Sequence, residues 1–297
     1  MKIAIKLIYA VITIFMISSC YEDYKFDNVY TSTYFARQKP IRTLVETPNS
    51  DELTFKFASV LSGVYTNNKE WLMEYEIDKS LLEETNFELL PESYYTLSNE
   101  SQMVIPSGEY LGEIKVSIDK DKMLNDPKGI SGGYALPVKI VASETDSILT
   151  GKEYSIIALK AFNQWHGYYW AMGKDTKYDS AGNEVDVVEY KADDDEFTRN
   201  LRFLLTTYTK NEVFVPYNGR FNDANRSMLF EIKEDGKVIV KGSGQGSFTN
   251  ISGEGSYNPE TKTIDVKYQY TTDEGFTHKV EDQLIFSNLN LSIEEWK

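Results

Sequence analysis

Apolar residues fall at every second position along much of this chain, and that period settles the fold class before any other feature does. Leu53, Phe55 and Phe57 share one parity, and so do Trp71, Met73, Tyr75 and Ile77. Tyr110, Gly112, Ile114, Val116 and Ile118 repeat the pattern, broken only by Leu111. A period of two turns one set of side chains to a core and the other to water, which is the pattern of a half-buried strand. Turns such as Pro48-Asn49-Ser50 and Pro106-Ser107-Gly108 separate these runs. Short strands so spaced predict a β-sandwich over residues 30–161. One short helix is expected over Lys79–Thr85, with Asp78 as its N-cap.

The texture changes at Lys160–Gln164, and residues 162–297 read as a longer antiparallel meander. Ser227–Ile232 and Lys237–Lys241 flank Glu234-Asp235-Gly236, and Asp-Gly between two strands is a strong hairpin signal. Further strands are expected at Gly246–Asn250, Gly253–Tyr257, Thr263–Tyr270 and Thr277–Phe286. All the connections are short, so neighbours pair directly. Closing such a sheet removes its edges, which predicts an antiparallel lipocalin-like β-barrel, with a two-sheet sandwich as the alternative. The expected fold is therefore all-β: an immunoglobulin-like sandwich followed by a barrel.

At 297 residues, with 41% hydrophobic and 26% charged, the chain can bury two cores. Lys2 and Lys6, an apolar run from Leu7 to Ile17 and small Ser18 and Ser19 form the layout of a signal peptide over residues 1–19. The apolar run is about half the length of a membrane span. Ile17-Ser18-Ser19-Cys20 resembles a bacterial lipobox, with Ile17 where leucine is usual, so Cys20 is expected to carry the lipid and residues 20–29 to form a tether. Early acids in Tyr21-Glu22-Asp23-Tyr24 resemble a surface-export signal, which implies an outer-membrane, lipid-anchored location facing the exterior. Cys20 is the single cysteine, so no disulfide supports the fold. Removing the two leader lysines takes the net charge from −15 to −17. That excess argues against nucleic acid, which demands clustered Lys and Arg, and leaves neutral or cationic ligands open.

Glu76-Ile77-Asp78, Leu90-Pro91-Glu92-Ser93-Tyr94-Tyr95-Thr96-Leu97, Ile105-Pro106-Ser107-Gly108 and Tyr134-Ala135-Leu136-Pro137-Val138-Lys139-Ile140 follow in that order. Together they resemble the N-terminal, immunoglobulin-like domain of unknown function common in Bacteroidota surface lipoproteins. The stretch Gly253–Thr263 is similar, more loosely, to the β-rich C-terminal domain that accompanies it. The resemblance implies a surface protein that works beside a SusC/SusD-type outer-membrane importer and holds polysaccharide or host glycan.

Enzyme motifs are scarce. His166 and His278 are the only histidines; neither has metal-ligand spacing or a nucleophile nearby, and both read as surface or edge-strand residues. Asp193-Asp194-Asp195-Glu196 reads as a solvated charge run. The Asp-x-x-Asp-x-Asp-x-Glu motif of the chitinase-like relatives is missing from the sequence. Asp179-Ser180-Ala181-Gly182-Asn183 lacks calcium-loop spacing and reads as a hairpin turn. No cofactor, metal or catalytic residue is expected.

A sugar site needs an aromatic platform beside polar side chains. The segment holding Trp165, Tyr168 and Trp170 qualifies, although one parity of it must pack a core; so does the polar loop holding Tyr217, Arg220 and Asn222. The leading expectation is a cell-surface glycan-binding lipoprotein. The alternatives are a non-binding subunit of the importer and an atypical glycoside hydrolase using carboxylates.

Overall fold

The computed structural model describes residues 30–48, 50–190, 201–221, 226–292 and 294–297. Cys20, the tether, Asn222 and the Asp193–Glu196 run lie outside these residues. The fold is all-β and has two parts, as the alternation predicts.

The first part contains β1 (Ser32–Phe35), β2 (Pro40–Val45), β3 (Glu52–Ser62), β4 (Trp71–Ile77), β5 (Glu88–Leu89) and β6 (Tyr95–Leu97). It continues through β7 (Gln102–Ile105), β8 (Leu111–Asp119), β9 (Tyr134–Ser143), β10 (Ser147–Ile148) and β11 (Tyr154–Phe162). One sheet runs β10-β1-β3-β8-β6, and the facing sheet runs β2-β11-β9-β4-β7. The β2–β11 pair is parallel, while β3–β8 and β4–β9 are antiparallel. This is the two-sheet connectivity expected of an immunoglobulin-like sandwich. Its core takes one parity from each strand, including Phe55, Phe57, Met73, Tyr75, Ile114, Val116 and Ile118. The expected helix after Asp78 is a single 3-10 turn, Lys79–Leu82, with the Asp78 carboxylate accepting from the Ser80 amide. Two one-turn α-helices, Lys120–Leu124 and Pro127–Ser131, were not foreseen; Asp119 and Asp126 cap them, and Pro127 starts the second.

The second part contains β12 (Gly167–Tyr178), β13 (Glu184–Tyr190), β14 (Arg202–Thr209), β15 (Glu212–Val215), β16 (Arg226–Ile232) and β17 (Lys237–Gly246). β18 (Thr249–Asn258), β19 (Thr263–Thr271) and β20 (Thr277–Asn288) complete it. Strand β20 pairs with β12 along Tyr168–Tyr178, which closes β12 and β14–β20 into an eight-stranded barrel. β13 pairs with the far half of β12, through the turn expected at Asp179–Asn183. The strand expected at Gly246–Asn250 instead straddles the turn between β17 and β18: Gly246 ends one strand, Ser247-Phe248 make the turn, and Thr249-Asn250 begin the next, with Asn250 at φ 53° in a register shift. Positive φ at Asn is the local feature that breaks the ladder there.

The two parts meet at a tightly bonded junction. The Asn163 side-chain amide donates to the carbonyls of Thr209 (2.9 Å) and Glu212 (3.0 Å). Phe162 and His166 stack with ring centroids 3.6 Å apart. Half-buried Lys120 and buried Glu46 pair at 3.2 Å beside the junction, and the Gln164 amide also reaches Glu46. After β20 the chain returns to the sandwich, where β21 (Glu294–Glu295) pairs with β2. Trp296 there donates its indole N–H to the Ile156 carbonyl at 2.9 Å and packs edge-on against Phe87.

Candidate ligand-binding cleft

The barrel interior is apolar at one end and polar at the other. Strand β20 sends His278, Val280, Asp282 and Leu284 inward together, all 4% exposed or less. The Asp282 carboxylate accepts from three tyrosine hydroxyls: Tyr190, Tyr217 at 3.1 Å and Tyr268 at 2.8 Å. The Asp175 carboxylate accepts from Tyr270 (2.7 Å), His278 Nδ1 (2.7 Å) and the Arg220 amide (3.1 Å). Burial pushes the Asp282 carboxyl up to about 6, against the pull of its tyrosine donors. Asp175 is also desolvated, but the hydrogen bonds from His278, Tyr270 and the Arg220 amide outweigh that and leave it below the usual carboxylate range.

Two carboxyls driven apart in this way resemble an acid–base pair. Both are closed off from solvent, Asp175 at 0% and Asp282 at 4% exposed. Both carboxylates instead fasten the connection between β15 and β16 into the barrel mouth. Gly219 makes this docking possible. Its amide donates to the Tyr268 hydroxyl at 2.7 Å, its φ is +51°, and a Cβ there would lie 2.3 Å from Asp175 Oδ2.

The residues picked from sequence therefore separate. Tyr217 is fully buried and stacks on Phe203 with centroids 4.3 Å apart. Arg220 is held by Asp175 and by an ion pair with Asp186. Tyr168 and Trp170 lie on the outer wall of β12, where the Arg202 guanidinium sits 4.3 Å and 5.8 Å from their ring centroids. Trp165 is 4% exposed at the junction and meets Tyr257 edge-on at 6.1 Å. Both histidines, expected at the surface or on an edge strand, are buried. His278 is bound to Asp175, and His166 accepts from the Thr207 amide at 3.1 Å. Burial, helped by the charge of Lys160, pushes His166 down to about 4, so it is neutral at physiological pH.

A cleft of about 990 Å³ lies between the two parts. The sandwich contributes Ser93–Thr96 and Ser117–Asp121; the barrel contributes Lys210-Asn211, Lys233–Gly236, Tyr257 and Pro259, with Gln164 and Trp165 at the base. Tyr94, Tyr95 and Tyr257 are half-buried on its walls, leaving ring surface beside hydroxyls, amides and carboxylates. The Tyr94 hydroxyl donates to Asp126 at 3.1 Å, which fixes that ring. Clefts between domains are favoured places for ligands, and this volume is at the upper end of the usual range. Apart from Trp165, sequence reasoning did not single out these residues as binding groups. They come from segments in both halves of the chain that are far apart in sequence, although the Tyr94-Tyr95 pair beside a proline turn was a visible signal. Among the described residues, no group of three or more His, Cys, Asp or Glu is placed to hold a metal ion.

Comparison with known proteins also divides the chain in two. Two family models match, one on each half. The first, described as an N-terminal domain, matches residues 26–147; the second, described as a C-terminal domain, matches residues 153–285. The second match begins ahead of β11, a strand that the structure places in the sandwich. A crystal structure of a protein of unknown function from Bacteroides ovatus is 20% identical, covers 91% of this chain and 99% of its own, and superposes with a TM-score of 0.74. That likeness establishes the shared two-part fold. A second Bacteroides ovatus protein of unknown function is 15% identical over 89% of this chain and 99% of its own, with a TM-score of 0.48. A third, from Bacteroides ovatus ATCC 8483 and provisionally described as carbohydrate binding, is 15% identical over 85% of this chain and 79% of its own, with a TM-score of 0.34. Neither of the last two scores is high enough to carry a structural argument. No curated protein matches the chain.

Proposed function

We propose that this protein is a cell-surface glycan-binding lipoprotein that captures polysaccharide or host glycan for an outer-membrane importer of the SusC/SusD type. The observation that carries the reading is the cleft between sandwich and barrel, where half-buried tyrosines stand beside hydrogen-bonding groups. Sugars offer apolar C–H faces and a fringe of hydroxyls, and such walls match both. The protein binds without turnover in this reading, because its paired interior carboxylates are sealed from solvent.

The test is a glycan-array and affinity-gel screen of soluble residues 21–297, with calcium present and absent. One glycan class is expected to be retained. Tyr95→Ala and Tyr257→Ala are each expected to weaken that binding about five- to tenfold, or ~1–1.4 kcal/mol, with unchanged circular dichroism. Tyr65→Ala, on an exposed loop of the sandwich, serves as the control expected to bind normally. Clean failure across plant and host glycans would reject the reading in favour of a docking subunit of the importer.

Anchoring is a separate element of the proposal. Lipid on Cys20 would hold the protein in the outer membrane with the sandwich as a spacer, since several acyl chains on one residue anchor firmly. Cys20→Ser is expected to move the protein to the soluble fraction; membrane retention after carbonate washing would contradict lipidation at that residue.

A further inference from the structure

The cleft walls carry far more acid than base. Among the described residues, seven carboxylates stand against three lysines along the lining. Each of those lysines already has a partner: Lys120 pairs with Glu46, Lys210 with Asp121 and Lys233 with Glu231. The Lys120–Glu46 pair is largely buried, with side chains 13% and 5% exposed, so its ammonium is not offered to an incoming anion. Asp121 fixes Lys210, and its hydrogen bond and charge raise the Lys210 pKa. Among the described residues, no arginine lines the cleft. Five further carboxylates line both walls, Asp51, Glu52 and Asp119 on the sandwich and Glu234 and Asp235 on the barrel. Glu52 and Asp119 pair with Lys115 and Lys122 outside the lining, which leaves Asp51, Glu234 and Asp235 to set the charge of the walls.

From this charge arrangement we infer that the cleft selects uncharged glycans and rejects those bearing uronate or sulfate groups. The inference rests on the glycan-binding reading above and adds the substrate class. Carboxylates only accept hydrogen bonds, which suits sugar hydroxyls and N-acetyl N–H groups. A sulfate or uronate entering the same space meets like charge on both walls and, among the described lining residues, finds no unpaired cation, a combination that acts against the wrong ligand. The net charge of −15 for the whole chain extends the repulsion beyond the cleft.

The test uses matched polysaccharide pairs on soluble residues 21–297: β-glucan with carboxymethyl-β-glucan, mannan with sulfated mannan, and N-acetylchitooligosaccharides with heparosan oligosaccharides. In calorimetry at 20 mM NaCl, the neutral member of a retained pair is expected to bind at least tenfold more tightly than its anionic counterpart. The gap should shrink in 500 mM NaCl, where charges are screened over a few ångströms. The double variant Asp51→Lys, Glu234→Lys is expected to narrow the gap at low salt, and circular dichroism checks its fold. Equal or tighter binding of the anionic member would overturn the charge inference and leave glycan binding standing. Failure of every neutral and anionic probe would instead overturn glycan binding, and the charge inference with it.

Discussion

Asp175→Ala is expected to destabilise the barrel by about 3–5 kcal/mol, the largest effect anticipated for any single polar residue here. The side chain is fully buried and accepts hydrogen bonds from Tyr270, His278 and the Arg220 amide. Its loss strands a tyrosine hydroxyl and an imidazole N–H in the interior, and it weakens the hold on the Arg220 guanidinium. Leaving buried donors unmade costs more than the bonds contribute net. Asp175→Asn keeps an acceptor oxygen and the shape, and so is expected to cost less than the alanine. Denaturant unfolding followed by fluorescence reports this directly, because Trp165 and Trp170 lie in the barrel half and Trp71 and Trp296 in the sandwich half. A cost below about 1 kcal/mol for the alanine variant would show that the cluster is not what fastens the barrel mouth.

Two buried groups give stability an unusual dependence on pH. His166 titrates near 4 in the fold, below its ordinary 6.5, so its contribution is complete above 6.5 and is lost as pH falls toward 4. Asp282 titrates near 6 rather than 3.8, so it favours the fold most below 3.8 and that contribution is lost as pH rises through 6. Shifts of this size are each worth about 3 kcal/mol at most, and they oppose one another across mildly acidic pH. Asp282→Asn removes one of them. The variant is expected to gain stability over the natural protein at pH 8, by up to about 2 kcal/mol, with the difference fading by pH 4. Thermal unfolding of both proteins from pH 4 to pH 8 measures the gap. A gap independent of pH would mean that Asp282 does not titrate as its burial dictates.

The strands were legible because their period of two survives in the sequence, and β16 and β17 flank Asp235-Gly236 as that dipeptide predicts. Barrel closure followed from edge avoidance, although no local residue announces that β20 pairs with β12. The interior carboxylates were harder to read. His278 and Asp282 share the parity of Val280 and Leu284, so the alternation placed them inside, but their polarity suggested a wet face. Resolving that conflict needs the partners Asp175, Tyr217 and Tyr268, which are distant in sequence. The short helices were missed because each is one turn long, too short for any period to show. The cleft was invisible for a similar reason: Tyr95 and Tyr257 belong to different halves, and only the docked junction brings them to one space. Sequence favoured dense aromatic runs instead, and in these one parity packs inward as Tyr169 while the other carries Tyr168 and Trp170 on the outer wall.

The most direct test of glycan capture in the cleft is amide hydrogen exchange on residues 21–297, with and without whichever glycan the affinity screen retains. Binding in the cleft predicts slowed exchange at Tyr94–Thr96, Lys233–Gly236 and the Tyr257–Pro259 turn together, from both halves of the molecule. Slowed exchange confined to the outer barrel wall around Tyr168 and Trp170 would contradict the account.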